Sequence, residues 1–144
     1  MIRDITANDK DQILRLVQLF YSERLERCGT FYSPSHASGH FDMFLITPGI
    51  LALCVEENGK IVGMIAGIAS AIIFSKEVAM QEMVWYVERE HRRCGLRLLR
   101  EFERRSKERG LKMMMMVGMS GDPILSIYPR LGYREMQQTF IKEL

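Results

Sequence analysis

The chain lacks most of what staples or anchors a small protein. Its 144 residues include only three cysteines, Cys28, Cys54 and Cys94. The number is odd and the spacing fits no metal-ligand pattern, which argues against a disulfide framework or a zinc site. His36, His40 and His91 complete no such pattern either, although His36 and His40 could share one helical face. No metal is expected. Long apolar runs are also missing. The longest, residues 61–74, contains Gly63, Gly67 and Ser70 and is too short to span a bilayer. The first residues carry Arg3 and Asp4 and lack the apolar centre of a signal peptide. A cytoplasmic protein with no membrane partner is therefore expected. Charge of one sign is scarce too: 20 basic and 18 acidic residues leave a net charge of +2. Such a balance does not by itself call for a nucleic-acid partner.

What is present fits one ordinary globular domain over residues 1–144. Apolar residues make up 47% and charged residues 26%, and the length can bury a core without staples. Residues 2–5 read as a strand. Thr6 or Asn8 can cap the helix that follows, in which Ile13, Leu16, Val17, Phe20 and Tyr21 recur at helical spacing through about Arg27. Gly29 ends it. Residues 29–49 are the least regular part, with a short helix over 40–46, and are a natural place for substrate contacts. Residues 50–57 read as a strand, and Asn58-Gly59 is a hairpin turn signal. Strands over 60–75 and 77–87 complete an antiparallel meander.

The pattern then changes. Residues 95–109 read as a helix, with Leu96, Leu99, Phe102 and Ser106 on one side and Gly110 as its stop. Residues 111–117 form an apolar strand whose four consecutive methionines suit soft core packing. Asp122-Pro123 opens a helix that runs to about Leu131. Residues 133–144 read as a final strand. No internal repeat or linker is visible.

The chemistry concentrates where strand 77–87 gives way to helix 95–109. The first backbone N–H groups of a helix lack internal partners, and the helix dipole adds positive charge there. A phosphate suits such a place. Gly95 permits close backbone approach, and Arg92 and Arg93 add full charges. The other basic residues nearby, from Arg89 to Arg109, alternate with Glu101, Glu103 and Glu108, as on a solvated helix face. A nucleic-acid-binding helix is therefore the weaker reading.

Residues 87–99, Val87-Glu88-Arg89-Glu90-His91-Arg92-Arg93-Cys94-Gly95-Leu96-Arg97-Leu98-Leu99, resemble the acetyl-CoA loop of the GNAT N-acetyltransferase superfamily. That loop reads Gln/Arg-x-x-Gly-x-Gly/Ala between a strand and a helix. A second segment, Tyr128-Pro129-Arg130-Leu131-Gly132-Tyr133, is similar to the superfamily's Tyr-x-x-Leu-Gly-Phe/Tyr. The two stand in the right order, and the element order fits nearly the whole chain.

The resemblance implies an α+β acyl-CoA N-acyltransferase fold: a central, mostly antiparallel twisted sheet with flanking helices. It implies acetyl transfer from acetyl-CoA, used as co-substrate, to an amine by direct attack in a ternary complex. Trp85, Tyr86 and Val87 would offer backbone groups to the pantetheine arm. Arg92, Arg93, Cys94, Gly95, Leu96 and Arg97 would wrap the diphosphate, with Cys94 incidental to the chemistry. Tyr128 would protonate the departing thiolate. Glu82 is the best candidate base, with Glu77 second, while a carboxylate paired with a surface arginine is the competing reading of Glu82. Simple alternation puts Met80, Glu82, Val84 and Tyr86 on one face unless a bulge changes the register.

Two positions depart from the pattern. Arg97 stands where the superfamily has Gly or Ala, so its side chain points outward, folds onto the phosphates, or alters the site. Gly121 stands where many members have a cofactor-contacting Asn, so that contact is absent or moves to Ser120 or Asp122. These departures favour the alternative of a non-catalytic acyl-CoA-binding module. The acceptor is expected to be a small-molecule amine or a protein or peptide amine. Phe31, Tyr32, His36, His40 and Phe41 would shape its site, and homodimers are common in the superfamily.

Overall fold

The computed structural model describes residues 1–144. Five strands form one sheet in the order β1-β2-β3-β4-β5. They are β1 (Ile2–Asp4), β2 (Ile50–Glu57), β3 (Lys60–Ala71), β4 (Val78–Val87) and β5 (Met113–Met115). The first four pair antiparallel, and β5 joins β4 in parallel. The expected α+β class with a mostly antiparallel sheet is observed.

Helices cover both faces. Helix α1 (Lys10–Phe20) and α2 (Pro34–Ile46) bury Ile13, Leu16 and Phe41 against Cys54, Met64, Ala66, Val84 and Tyr86. Helix α3 (Gly95–Glu108) buries Leu98, Leu99 and Phe102 against Leu53, Val55, Ile65, Met80 and Val87 on the other face. Successive strand residues thus serve opposite cores, as the period of two requires. On α3 the buried set is Gly95, Leu98, Leu99, Phe102 and Ser106, a helical stripe. Leu96, expected on this stripe, is exposed instead, and Leu98 takes its place.

Several expected boundaries shift. Helix α2 begins at Pro34, so the supposedly irregular segment holds a helix of 13 residues. Ser33-Pro34 is a cap followed by a first-turn proline, whose missing N–H costs nothing there. Helix α1 passes at Tyr21 into a π-helical turn, Tyr21–Leu25, before Gly29 closes the segment with a left-handed φ of 80°. Strand β3 stops at Ala71, and the residues joining it to β4 form a turn in which Phe74 adopts φ 60°. The segment expected to be one helix over 122–131 divides into α4 (Ile124–Ile127) and a tighter 3₁₀ turn, Tyr128–Leu131. Pro129 cannot donate to the carbonyl four residues back, so the α-helical ladder fails there. Residues 133–144 form no strand. Phe140 and Ile141 are adjacent and both exposed, a pattern with no buried face to hold an added strand in register.

One packing detail sets the geometry of β4. In the β3–β4 ladder Ala66 opposes Val84 and Gly67 opposes Glu82, so Met83 is an extra residue with no partner. It is a β-bulge, and it reverses the facing of everything beyond it. Met80 belongs to the α3 core, whereas Val84 and Tyr86 belong to the α1–α2 core. The simple alternation that would put all four of Met80, Glu82, Val84 and Tyr86 on one face therefore does not hold. Glu82 faces the α3 side with Gly67, directly across the ladder. A Cβ added at Gly67 would lie 2.7 Å from the Gln81 carbonyl oxygen and 2.9 Å from the Phe102 ring. The backbone cannot yield as a flexible side chain would. Gly67→Ala should therefore lower unfolding stability by about 2 kcal/mol, the usual cost of overpacking. Urea denaturation should show a lower midpoint at unchanged slope.

Candidate functional site

Strands β4 and β5 part company at Gln81. Only Ala79, Met80 and Gln81 pair with Met113, Met114 and Met115. Beyond this point β4 runs on from Glu82 to Val87 with no strand on that side, leaving main-chain donors and acceptors unpaired by sheet. The expected strand over 111–117 is thus cut to three residues, and its remainder leaves the main-chain ladder with β4.

Glu82 sits at the fork. Its carboxylate accepts the Val117 N–H at 2.8 Å. The carbonyl of the same residue accepts the Tyr128 hydroxyl at 2.9 Å. One peptide unit pair therefore holds the two candidate proton-transfer groups at one place. Gly118 makes this possible, because a Cβ there would come within 2.3 Å of Leu125. Burial is the larger influence on both groups. It raises Glu82 from the usual 4.5 to about 7, partly offset by the Val117 N–H. It also raises the Tyr128 phenol, helped by the nearby Glu82 and Asp122 charges. Tyr128 is thus protonated throughout the neutral range. Glu82 has no arginine partner among its hydrogen bonds, so the reading of it as a paired surface carboxylate does not hold. Glu77, the second candidate base, lies in the β3–β4 turn beside Ser75 and is not on the strand at all.

The turn after β4 differs from a bare helix start. Residues Arg89–Cys94 already form a 3₁₀ helix that runs into α3, and the Gly95 N–H donates to the Arg92 carbonyl. Helical winding therefore begins six residues earlier than expected. Gly95 itself is buried against Trp85, which an added Cβ would meet at 3.7 Å. Trp85 tilts against Tyr128 with ring centroids 6.4 Å apart, and its buried Nε1 has no hydrogen-bond partner. Tyr86 and Val87 are buried on opposite faces. Cys94 points down into the core and donates its thiol to Glu57 at 3.0 Å. That bond and burial raise the thiol above its ordinary range. A thiol so placed is a poor nucleophile.

The basic residues divide. Arg92 lies over the Tyr86 ring and donates to Glu23 at 3.1 Å, and Arg89 approaches the same carboxylate. These residues, with Arg24 and Asp122, line a cavity of about 300 Å³. Arg93 is largely exposed, 3.8 Å from Glu57. Arg97 borders a different depression, with Arg100, Glu101, Arg104 and Ile2, on the outer side of α3. Its side chain and that of Arg92 thus serve different surfaces. Further along α3, Arg104 and Arg105 are tied to Glu101, Glu108 and Asp4. Gly121 adopts φ 84° in a turn closed by the Asp122 N–H and the Met119 carbonyl, a conformation that explains glycine there.

Carboxylates not foreseen from the sequence hold this region together. Glu57 accepts from His91 at 2.8 Å as well as from Cys94. Glu88 takes Lys60 at 3.0 Å and also Arg15. Asp122 pairs with Arg24. Their partners lie 28 to 98 positions away in the chain, beyond the reach of any local motif. On the acceptor side, Phe41 is a fully buried core residue and cannot line an open site, contrary to expectation. Phe31 is exposed, Tyr32 packs edgewise on Tyr21, and the His36 ring meets the Ser33 hydroxyl at 3.0 Å. His40 is exposed on α2. No three His, Cys, Asp or Glu side chains converge to hold a metal ion. No helix is long and apolar enough to cross a membrane, and the longest apolar run is strand β3.

A sheet that forks beside an arginine-bearing turn is an architecture suited to admitting an extended, phosphorylated thioester. The acetyltransferase (GNAT) family matches residues 11–133, and the chain belongs to that family. It is an N-acetyltransferase that uses acetyl-CoA. No curated protein matches it. Among solved structures it is similar to a transcriptional regulator from Bacillus halodurans C-125, with TM-score 0.81 at 17% identity over 100% of this chain and 99% of that one. It is similar to AAC(6')-Iy in complex with a CoA-linked bisubstrate analogue, with TM-score 0.80 at 11% identity over 100% and 97%. A ribosomal-protein-alanine N-acetyltransferase from Brucella melitensis biovar Abortus 2308 aligns with TM-score 0.74 at 14% identity over 100% and 99%. At these identities the likeness shows the fold.

The raised Glu82 has a measurable consequence. Between pH 4.5 and about 7 the unfolded chain has released this proton while the folded chain keeps it. Its contribution to stability is therefore full below that window and declines as pH rises through it. Glu82→Gln removes the decline. Thermal unfolding from pH 4 to 8 should show the variant gaining on the parent protein across this window. Parallel profiles would contradict a raised Glu82.

Proposed function

We propose that the chain transfers the acetyl group of acetyl-CoA to an amine by direct attack, with Glu82 as proton acceptor and Tyr128 as proton donor. The observation that carries this reading is the convergence of both side chains on Val117 at the β4–β5 fork. The amine nitrogen bonds to the thioester carbonyl carbon, and its proton passes to Glu82, directly or through water. The carbon–sulfur bond then breaks and the Tyr128 proton moves to the sulfur. A carboxyl group balanced near neutrality suits the first transfer, and a phenol that resists ionisation suits the second. The unpaired Glu82–Val87 edge of β4 would hold the pantetheine arm through main-chain groups. The unpartnered Trp85 Nε1 below it is consistent with a site built to receive a polar group. Arg89 and Arg92 would meet the diphosphate, while Arg97, bordering a separate surface, would not.

The acceptor is an amine on a small molecule or on a protein. AAC(6')-Iy is captured with an acetylneamine analogue, and the Brucella enzyme is named for a ribosomal-protein alanine. The acids of the charged cavity, Glu23 and Asp122, are each already paired with an arginine. That pairing, in the cavity read as the diphosphate site, carries no information on which amine is accepted.

Two outcomes are expected in a thiol-release assay with a panel of amines. Tyr128→Phe should lower kcat about 100-fold with the KM for acetyl-CoA nearly unchanged. Glu82→Gln should lower kcat and remove the rise of kcat/KM near pH 7 that is expected of the parent protein. Tight acetyl-CoA binding without turnover on any amine would overturn the catalytic assignment. Separately, Arg97→Gly should bind acetyl-CoA as tightly as the parent protein in calorimetry. A tenfold or greater loss, about 1.4 kcal/mol, would show that Arg97 reaches the phosphates itself.

A further inference from the structure

The arginines that face the charged cavity are already occupied. Glu23 lies in the π-helical turn Tyr21–Leu25, a local irregularity of the kind that often marks functional sites. Its side chain is 18% exposed, against 42% for Arg92 and 80% for Arg89. It accepts the Tyr86 hydroxyl at 2.8 Å and Arg92 at 3.1 Å, with Arg89 at 3.6 Å. The carboxylate is therefore the more buried member of the group, and the arginines are the more exposed ones. Arg24, next in sequence, is taken by Asp122. The cavity holds three arginines and two carboxylates, and the carboxylates come from elements other than the turn that supplies Arg89 and Arg92.

We propose that Glu23 is a positioning residue that acts as a built-in substitute anion, holding Arg92 and Arg89 until the diphosphate of acetyl-CoA displaces it. The inference rests on the reading of this turn as the diphosphate site. A diphosphate carries more charge than one carboxylate and accepts bidentate guanidinium contacts, so the exchange runs toward the cofactor. Part of the binding energy is spent on parting Glu23 from its arginines, which lowers the net affinity. The displaced carboxylate keeps the Tyr86 hydroxyl as a partner, so it is not left bare.

The sign of one substitution decides the matter. Glu23→Gln keeps the shape and an acceptor for Tyr86 but removes the competing charge. Calorimetric titration with CoA should show a Kd about tenfold lower than that of the parent protein in low salt, with the gain shrinking as salt screens the charges. Glu23→Ala should move Kd the same way, which covers the case in which the glutamine variant folds poorly. A strut that merely braces the turn predicts the reverse. Unchanged or weaker CoA binding by either folded variant would overturn the proposal. If the folded parent protein and both variants all fail to bind CoA, the diphosphate assignment itself falls, a result distinct from equal binding by all three.

Discussion

The site depends on the parting of β5 from β4 at Gln81. A parallel pair that continued past this point would close the sheet and leave nothing to admit a substrate. The structure prevents closure in two ways. The bulge at Met83 turns β4 so that its ladder with β3 survives while its facing reverses. Glu82, just before the bulge, takes the Val117 N–H with its side chain, beyond the last rung of the β4–β5 ladder. A side chain thus does the work of a main-chain acceptor, and the two strands are free to diverge. The same carboxylate is buried by this placement, which is why its proton is held to about pH 7. Opening the cleft and tuning the acid are one event, not two.

The second constraint is where the turn's charge is spent. The segment from Glu88 to Arg97 carries Arg89, Arg92, Arg93 and Arg97, and its fold would be strained by mutual repulsion without counter-charge. Glu57 and Glu23 supply it from two sides, while Glu88 spends its charge on partners outside the segment. Glu57 holds the lower side of the turn through His91 and Cys94. Glu88 joins its first residue to Arg15 of α1 and Lys60 of β3. Glu23 takes the upper side. Exposed ion pairs of this kind are individually worth little. Their effect here is orientation: they separate Arg92, aimed across Tyr86, from Arg97, on the far side of α3.

Much of the architecture was legible because its signals are local. Asn58-Gly59 placed the β2–β3 hairpin, and the helical stripe of residues 95–106 placed α3 within a residue or two. The two motifs placed the turn and Tyr128. What was not legible depends on partners distant in the chain. The bulge is a case in point: Met80, Glu82, Val84 and Tyr86 alternate cleanly in sequence. Only Gly67 on the neighbouring strand, where the Gln81 carbonyl and the Phe102 ring crowd in, shows why one residue is looped out. Leu96 and Leu98 exchange roles because Gly95, Leu98, Leu99, Phe102 and Ser106 share one face of α3, from which position 96 is turned away. Residues 133–144 read as a strand on composition, but the adjacent Phe140 and Ile141 give no single apolar face.

The mismatches with the family pattern gain a physical meaning in this frame. Glycine at the Arg97 position would matter if the helix began at Gly95 and its first amides met phosphate directly. Here the 3₁₀ turn draws the Gly95 N–H to Arg92, so the demand for a small residue two positions later is relaxed. Arg97 can then occupy the outer face of α3 at no steric cost. Gly121 is explained by its own φ of 84°, and its neighbour Asp122 pairs with Arg24. The substitution of charged pairs for backbone contacts follows one logic throughout. On the proposed diphosphate reading, this turn would rely less on bare amides than its family pattern implies and more on guanidinium groups. Because guanidinium groups need counter-ions when no ligand is present, the carboxylates that surround them are part of the same design.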